Sequence, residues 1–291
     1  METGLVEETA AKSAASTRPR LRWWVEVLLV LGFYGIYSSV RNIFGSAAVN
    51  PDRALSNAET VIDIERALGL FHEEAIQRAF IGWEGFIRFW NIFYGTFHFI
   101  VTIFALVWLF LRFPLRYSKW RNVLLSTTAI ALVGFSLFPL MPPRLVSDCL
   151  SPYGGCAGFG FVDTLRNVGG LWSFDSGAMS DLSNQYAAMP SLHFGWSLWC
   201  CLALFPTFRS RIVRTLLVIY PMMTLFAIVV TANHYWLDAL GGAWVLLLGY
   251  IIGSLITRAA ARWRARRTTV DATIEPVTET DTEPGSEPAL V

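Results

Sequence analysis

Charge is scarce in this 291-residue chain. Asp, Glu, Lys and Arg make up 15% of it, against 54% hydrophobic residues and a mean hydropathy of +0.46. Soluble domains carry about 25% charged residues, so the composition excludes an ordinary water-soluble fold and points to a bilayer. The formal net charge of +1 says little about partners. Only four cysteines occur, without the paired spacing of a zinc module. No small-residue cleavage site follows the first apolar run, which a long polar arm precedes, so that run reads as a retained anchor rather than a signal peptide.

What is present is a series of apolar runs, each to be measured against the roughly 20 residues a helix needs to cross about 30 Å of hydrocarbon. They lie near Leu21 to Val40, Phe89 to Leu111, Asn122 to Leu140, Ser191 to Pro206, Val213 to Thr231 and Tyr235 to Ile256. The fourth is short. Basic residues mark every second boundary: Arg18, Arg20 and Arg22; Arg112, Arg116, Lys119 and Arg121; Arg209, Arg211 and Arg214; and Arg258, Arg262, Arg264, Arg266 and Arg267. Short cytoplasmic loops are enriched in Lys and Arg, so six spans with both termini inside satisfy every loop. The expected fold is an all-α polytopic membrane protein with six transmembrane helices. Its expected divisions are a disordered cytoplasmic arm (1–20), a membrane domain (21–258) with a core at about 122–256, and a basic, then disordered, cytoplasmic tail (259–291). The basic run Arg258 to Arg267 reads as an anchor to anionic lipid rather than a nucleic-acid site.

Between the first two spans, Asn50 to Phe89 is too charged to cross. Its Val61, Ile64, Leu68, Leu70, Ile76 and Phe80 recur at helical spacing, which predicts one or two amphipathic helices in the outer interface, with a start at Pro51 and Asp52 and a break at Gly69. They would form a cap over the helix ends or a lipid-entry surface. Cys149 and Cys156 share the predicted outer loop, where an oxidising compartment allows them to pair. Cys200 and Cys201 fall inside the fourth span and read as small apolar residues.

The chemistry concentrates at three segment ends on one predicted membrane face. His234 and Asp238 are four apart, so on a helix the carboxylate can hold one ring nitrogen and leave the other with an outward lone pair, the arrangement of an oriented nucleophile. In Met189-Pro190-Ser191-Leu192-His193 the proline suits a first helical turn, whose free N–H groups bind phosphate. Ser191 adds a hydroxyl donor, and His193 is placed to protonate a leaving oxygen as general acid. Arg144, after Pro142 and Pro143, can grip a phosphoryl group in bidentate fashion. Each feature alone also has an ordinary reading as a helix cap, interhelical polar pair or headgroup contact. Their shared placement favours phosphoryl transfer with histidine as the covalent carrier.

Pro190-Ser191-Leu192-His193 together with His234-x-x-x-Asp238 resembles the second and third signature motifs of the type 2 phosphatidic acid phosphatase superfamily. The Leu of Pro-Ser-Leu-His, the Pro-Pro-Arg element and the His-Tyr-x-x-Asp-x-x-Gly-Gly ending at Gly242 are more similar to the inositol phosphorylceramide synthase branch than to the soluble acid phosphatases. Asn91, Tyr94 and His98 on the second span also look like that branch. The resemblance implies that His234 attacks phosphorus, Asp238 orients it, His193 serves as acid and then base, and Ser191 and Arg144 hold the phosphoryl oxygens, with no metal or organic cofactor. Two charges of the phosphatase pattern are missing here. Lys119 lies far upstream, and Ala227 and Ile228 stand where a Ser-Arg pair would fall, which tilts the resemblance toward phosphodiester or headgroup transfer.

The loop from Ser151 to Asn184 is long and glycine-rich, as lids often are. Arg166 could supplement Arg144, and Asp163 and Asn167 could select an acceptor; a solvated loop face is the plainer reading of the last two. Expected partners are a phospholipid or polyprenyl phosphate, an acceptor hydroxyl such as a polyol like inositol, and the bilayer, but no nucleic acid. The expected location is the plasma membrane, with the active site on its outer face. Two other classes stay open: a haem-binding redox protein using His98, His193 and His234 as ligands, and a transporter, although no broken-helix repeats are evident.

Overall fold

The computed structural model describes residues 21–44, 49–171 and 184–274. The arm before Leu21, the last part of the tail, and Trp172 and Phe174 of the long loop lie outside those residues.

The chain runs through α1 (Trp23–Phe44), α2 (Pro51–Ala67), α3 (Glu73–Phe80), α4 (Glu84–Arg112), α5 (Pro114–Leu137), α6 (Pro143–Val146), α7 (Thr164–Asn167), α8 (Leu192–Leu204), α9 (Arg211–Val230) and α10 (Trp236–Ile274). Among the described residues the sole extended pairing is an isolated bridge between Leu140 and Ala187. The fold is therefore all-α, and α1, α4, α5, α9 and α10 are long and apolar enough to cross a membrane.

The fourth expected span is the exception in length. α8 has 13 residues and continues into a 3₁₀ turn, Phe205–Thr207. At standard rises the two together reach about 25 Å, slightly less than the hydrocarbon thickness. It nonetheless runs from one end of the bundle to the other. Ser191 at its start donates to Asp238 O at the head of α10, and Thr207 at its end meets Trp108 near the tail of α4.

Local chemistry explains where the elements stop. Asn50 caps α2 by accepting from Asp52 N at 2.9 Å, with Pro51 at the first helical position. Gly69, at φ +68°, ends the helix, while Leu70 N bonds back to Glu65 O at 2.7 Å. The buried face of α2 is Ala54, Ala58, Val61, Ile62 and Glu65, whereas Ile64, Leu68 and Leu70 are exposed. The apolar residues read from sequence are thus divided: Val61 packs on the bundle beside Ile62 and two alanines, while Ile64, Leu68 and Leu70 face outward.

The bundle is held by an aromatic core that includes Trp90, Phe93, Trp120, Trp199 and Tyr220. Its tightest seam joins α5 and α10. A Cβ added at Gly249 would lie 2.7 Å from Thr127 N, and one at Gly253 would lie 2.5 Å from Val123 N. Glycines four apart let two helices meet backbone to backbone, as in membrane helix pairs.

The two ends of the bundle differ. At one, Arg121 pairs with Glu26 at 2.6 Å, which also accepts from Tyr117, and Lys119 donates to Tyr250 at 2.7 Å. This end gathers basic residues of the loops expected inside. At the other end, α2 packs over Leu140, Met141, Leu145, Val146, Tyr186 and Tyr235. The Cys149–Cys156 disulfide follows α6 there.

Candidate active site

The capped end brings together the start of α8, the turn from α9 into α10, and the loop around α6. Ser191 is the N-cap of α8: its Oγ accepts from Phe194 N at 3.4 Å, leaving its O–H free to donate elsewhere. Pro190 therefore lies one residue ahead of the cap, rather than within the first turn as the sequence suggested. The N–H groups of Leu192 and His193 open the helix, where no helical acceptor exists for them.

His234 is fixed by the end of α9. Ala232 adopts φ +54°, Ala232 N bonds to Val229 O, and Asn233 N bonds to Ile228 O, which closes α9 as a Schellman turn with alanine where glycine is usual. The His234 ring is 3% exposed. Its Nδ1 faces two acceptors, Ala188 O at 2.9 Å and Asp238 Oδ2 at 3.3 Å, and so must carry the proton. The lone pair is left on Nε2, which lies 3.4 Å from His193 Nδ1. The two ring centroids are 5.5 Å apart. The pair expected from sequence thus meets, with Asp238 behind His234 at 0% exposure.

Other groups close around the imidazoles. Tyr94 stacks on His193 at 4.1 Å, and His98, whose Nδ1 donates to Tyr94 O, sits edge to face with His193 at 4.2 Å. Asn91 donates to Thr164 O and Gly169 O and accepts from Thr164 Oγ1, which pins the loop carrying α7 to α4.

Arg144 belongs to this cluster, and its charge is already partnered. Its backbone N–H donates to Ala232 O at 2.7 Å, two residues from His234. Its guanidinium donates to Asp163 Oδ2 at 2.6 Å and to Gln185 Oε1, while Nε is buried without a partner among the described residues. Asp163 is 5% exposed and also caps α7 through Leu165 N and Arg166 N. It is therefore a buried counter-ion, rather than a group on a solvated loop face. Arg166 is exposed and reaches Asp148 at 3.3 Å, and Asn167 is exposed at the end of α7. The structure does not bring those two together with the histidines.

Two residues were missed by sequence reasoning. Glu65 and Glu73, both 0% exposed, accept from the first backbone N–H groups of α10: Leu237 N to Glu65 at 2.8 Å and Trp236 N to Glu73 at 3.2 Å. With Tyr235 N donating to Asp238 at 2.9 Å, three successive amides each meet a carboxyl group. The available signal was Glu65 falling on the face of α2 that carries Ala54, Ala58 and Val61.

A family model described as the PAP2 superfamily matches residues 59–252, about two thirds of the chain. The match runs from the middle of α2 into the first half of α10 and takes in every residue of the histidine cluster. No curated protein matches. No solved structure matches either.

Proposed function

The chain belongs to the PAP2 superfamily, and from that premise we propose a membrane phosphotransferase that acts on a phosphorylated lipid and works through a phosphohistidine. The observation that carries the reading is the committed Nδ1 of His234, with its free Nε2 beside His193 Nδ1 at 3.4 Å. In the proposed reaction His234 Nε2 forms a bond to phosphorus as the bond from phosphorus to the lipid oxygen breaks. His193 gives its Nδ1 proton to that oxygen. An acceptor hydroxyl then attacks phosphorus, His193 takes its proton, and the P–N bond breaks to restore His234. Asp238 stabilises the imidazolium that develops. The amides opening α8, the Ser191 hydroxyl and Arg144 supply donors to the phosphoryl oxygens.

The charge at the site supports a diester or headgroup donor over a monoester dianion. Asp163 balances Arg144, and Arg166 is engaged with Asp148, so little positive charge is left to hold two negative ones. This favours the branch that moves a phospho-headgroup onto a polyol such as inositol or a second lipid, with water as the competing acceptor. The three imidazoles pack directly on one another, which favours this reading over a haem held between two of them. The proposed topology is a catalytic core at 122–256, both termini inside and the site at the outer leaflet of the plasma membrane. The Cys149–Cys156 disulfide at the site end and the basic residues at the other support it.

The test is incubation with labelled phosphatidic acid, phosphatidylinositol and polyprenyl phosphate, with and without free inositol, followed by product identification. A labelled headgroup transferred to an added hydroxyl is the expected product. Release of inorganic phosphate alone would make the protein a phosphatase. No turnover in any arm would remove the reading.

A further inference from the structure

Glu65 and Glu73 reach the head of α10 from two different helices, α2 and α3, and neither is used in the reaction above. Each gives its Oε1 to one first-turn amide of α10, and each has an Oε2 that is buried and meets no donor among the described residues. Because Trp236 N and Leu237 N are consecutive amides, the two carboxyl groups that accept from them are held side by side, each with a buried Oε2 turned to no donor among the described residues. Two ionised carboxylates so placed are acceptors only and repel each other, whereas a proton on one of the pair supplies the donor both Oε2 atoms lack. The charged groups facing the pair are also acidic: Asp238 on α10 acts on Glu65, and the Tyr235 hydroxyl lies within electrostatic range of all three acids.

We propose that Glu65 and Glu73 act as one unit sharing a single proton, and that this unit positions His234 by clamping the first turn of α10. The clamp matters because the amides of residues 235, 236 and 237 follow His234 directly, and Asp238 is the next residue along. Free to fray, that turn would release both Asp238 and the Nδ1 contact it makes. One negative charge over two carboxyls suits a helix N-terminus, whereas two would repel each other and Asp238. The Glu65 carboxyl is accordingly raised from 4.5 to about 9 by burial first and by Glu73 second. Because the folded state holds a proton that the unfolded chain has lost, the clamp's contribution to stability falls as pH rises above about 4.5 and is gone above about 9.

The proposal rests on the phosphotransfer reading only for its activity arm. The structural arm is hydrogen exchange at Trp236 and Leu237 in the detergent-solubilised full chain, expressed as protection relative to an unstructured peptide. Glu65→Ala and Glu73→Ala should each lower protection at least tenfold. Glu65→Gln, which keeps an acceptor for Leu237 and a donor for Glu73, should restore it to within threefold, and its protection should stay level from about pH 4.5 to about 9, where that of the wild type falls. In the activity arm, with the labelled lipids named above, Ala variants should lose kcat at least tenfold with KM within twofold. Glu65→Gln should recover most of kcat and lose the alkaline fall near pH 9. If Glu65→Gln exchanges as fast as Glu65→Ala, or if its pH profile matches the wild type, the shared proton is refuted. The Gln variant decides the matter even if the Ala variants fail to fold. An inactive wild type would remove the phosphotransfer reading and leave the exchange result to judge the clamp.

Discussion

Gly242→Ala is the sharpest test of how α8 and α10 are set against each other. Gly242 lies on α10 against the carbonyl of Ser191, the N-cap of α8. A Cβ there would sit 2.3 Å from Ser191 O, where ordinary contact begins near 3.4 Å. The obstacle is backbone, so it cannot rotate away, and α8 and α10 must part by about 1 Å. The hydrogen bond from Ser191 N to Asp238 O, now 2.8 Å, lies one turn away and would lengthen. With α8 shifted, His193 would no longer stand in the register with His234 that their present 3.4 Å contact records. Overpacking of this kind costs about 1–3 kcal/mol of stability, and a misplacement of about 1 Å at a reacting centre lowers turnover by about 10²-fold. The assay pairs thermal unfolding in detergent with single-turnover transfer from a labelled lipid. Gly35→Ala on α1, where an added Cβ meets nothing within 4 Å, is the control and should keep full turnover. Turnover within threefold of wild type in a folded Gly242→Ala protein would refute the claim that backbone contact sets the site.

Three further outcomes follow from named contacts. His193→Ala should slow transfer by about 10²–10⁴-fold, the usual contribution of a general acid, whereas His234→Ala should abolish the acid-labile phosphoryl label on the protein; a label retained in the latter would move the nucleophile elsewhere. Asp163→Ala leaves the Arg144 guanidinium buried without its counter-ion and should destabilise the fold by about 3–5 kcal/mol. A double Arg144→Met, Asp163→Leu variant should melt near the wild type, and equal melting of all three proteins would refute the buried pair. Cys149→Ser opens a short disulfide loop and should cost about 2 kcal/mol, read as a lowered midpoint that reductant reproduces in the wild type.

Much of the architecture was legible because membrane crossing is a requirement of length and polarity, which sequence displays directly. The apolar runs at Phe89 to Leu111 and Val213 to Thr231 became α4 and α9 with ends displaced by only a few residues. Two boundaries moved further. α5 starts at Pro114, ahead of the run at Asn122, because its basic first turns lie at the bundle end beside Glu26. α10 continues to Ile274, well past the apolar limit at Ile256, since a helix can extend into water without apolar residues. The meeting of His193, His234 and Asp238 was also readable, because i to i+4 spacing and antiparallel helices fix it. What could not be read was the partner of each buried charge. Arg144 finds Asp163 and Gln185 across a loop whose path no local rule specifies. Glu65 looks like one more solvated acid on an amphipathic helix until the fold turns it inward.

Under the proposed reaction, the touching imidazoles have a consequence for the substrate. A phosphorus atom cannot enter a gap that the two rings close by meeting at 3.4 Å. Something has to wedge them apart. For the proposed lipid substrate, the work for that would come from its apolar chains, remote from the phosphorus, settling along the bundle. Clipped analogues should consequently turn over more slowly as well as bind more weakly, and stray soluble phosphates should leave the latch shut.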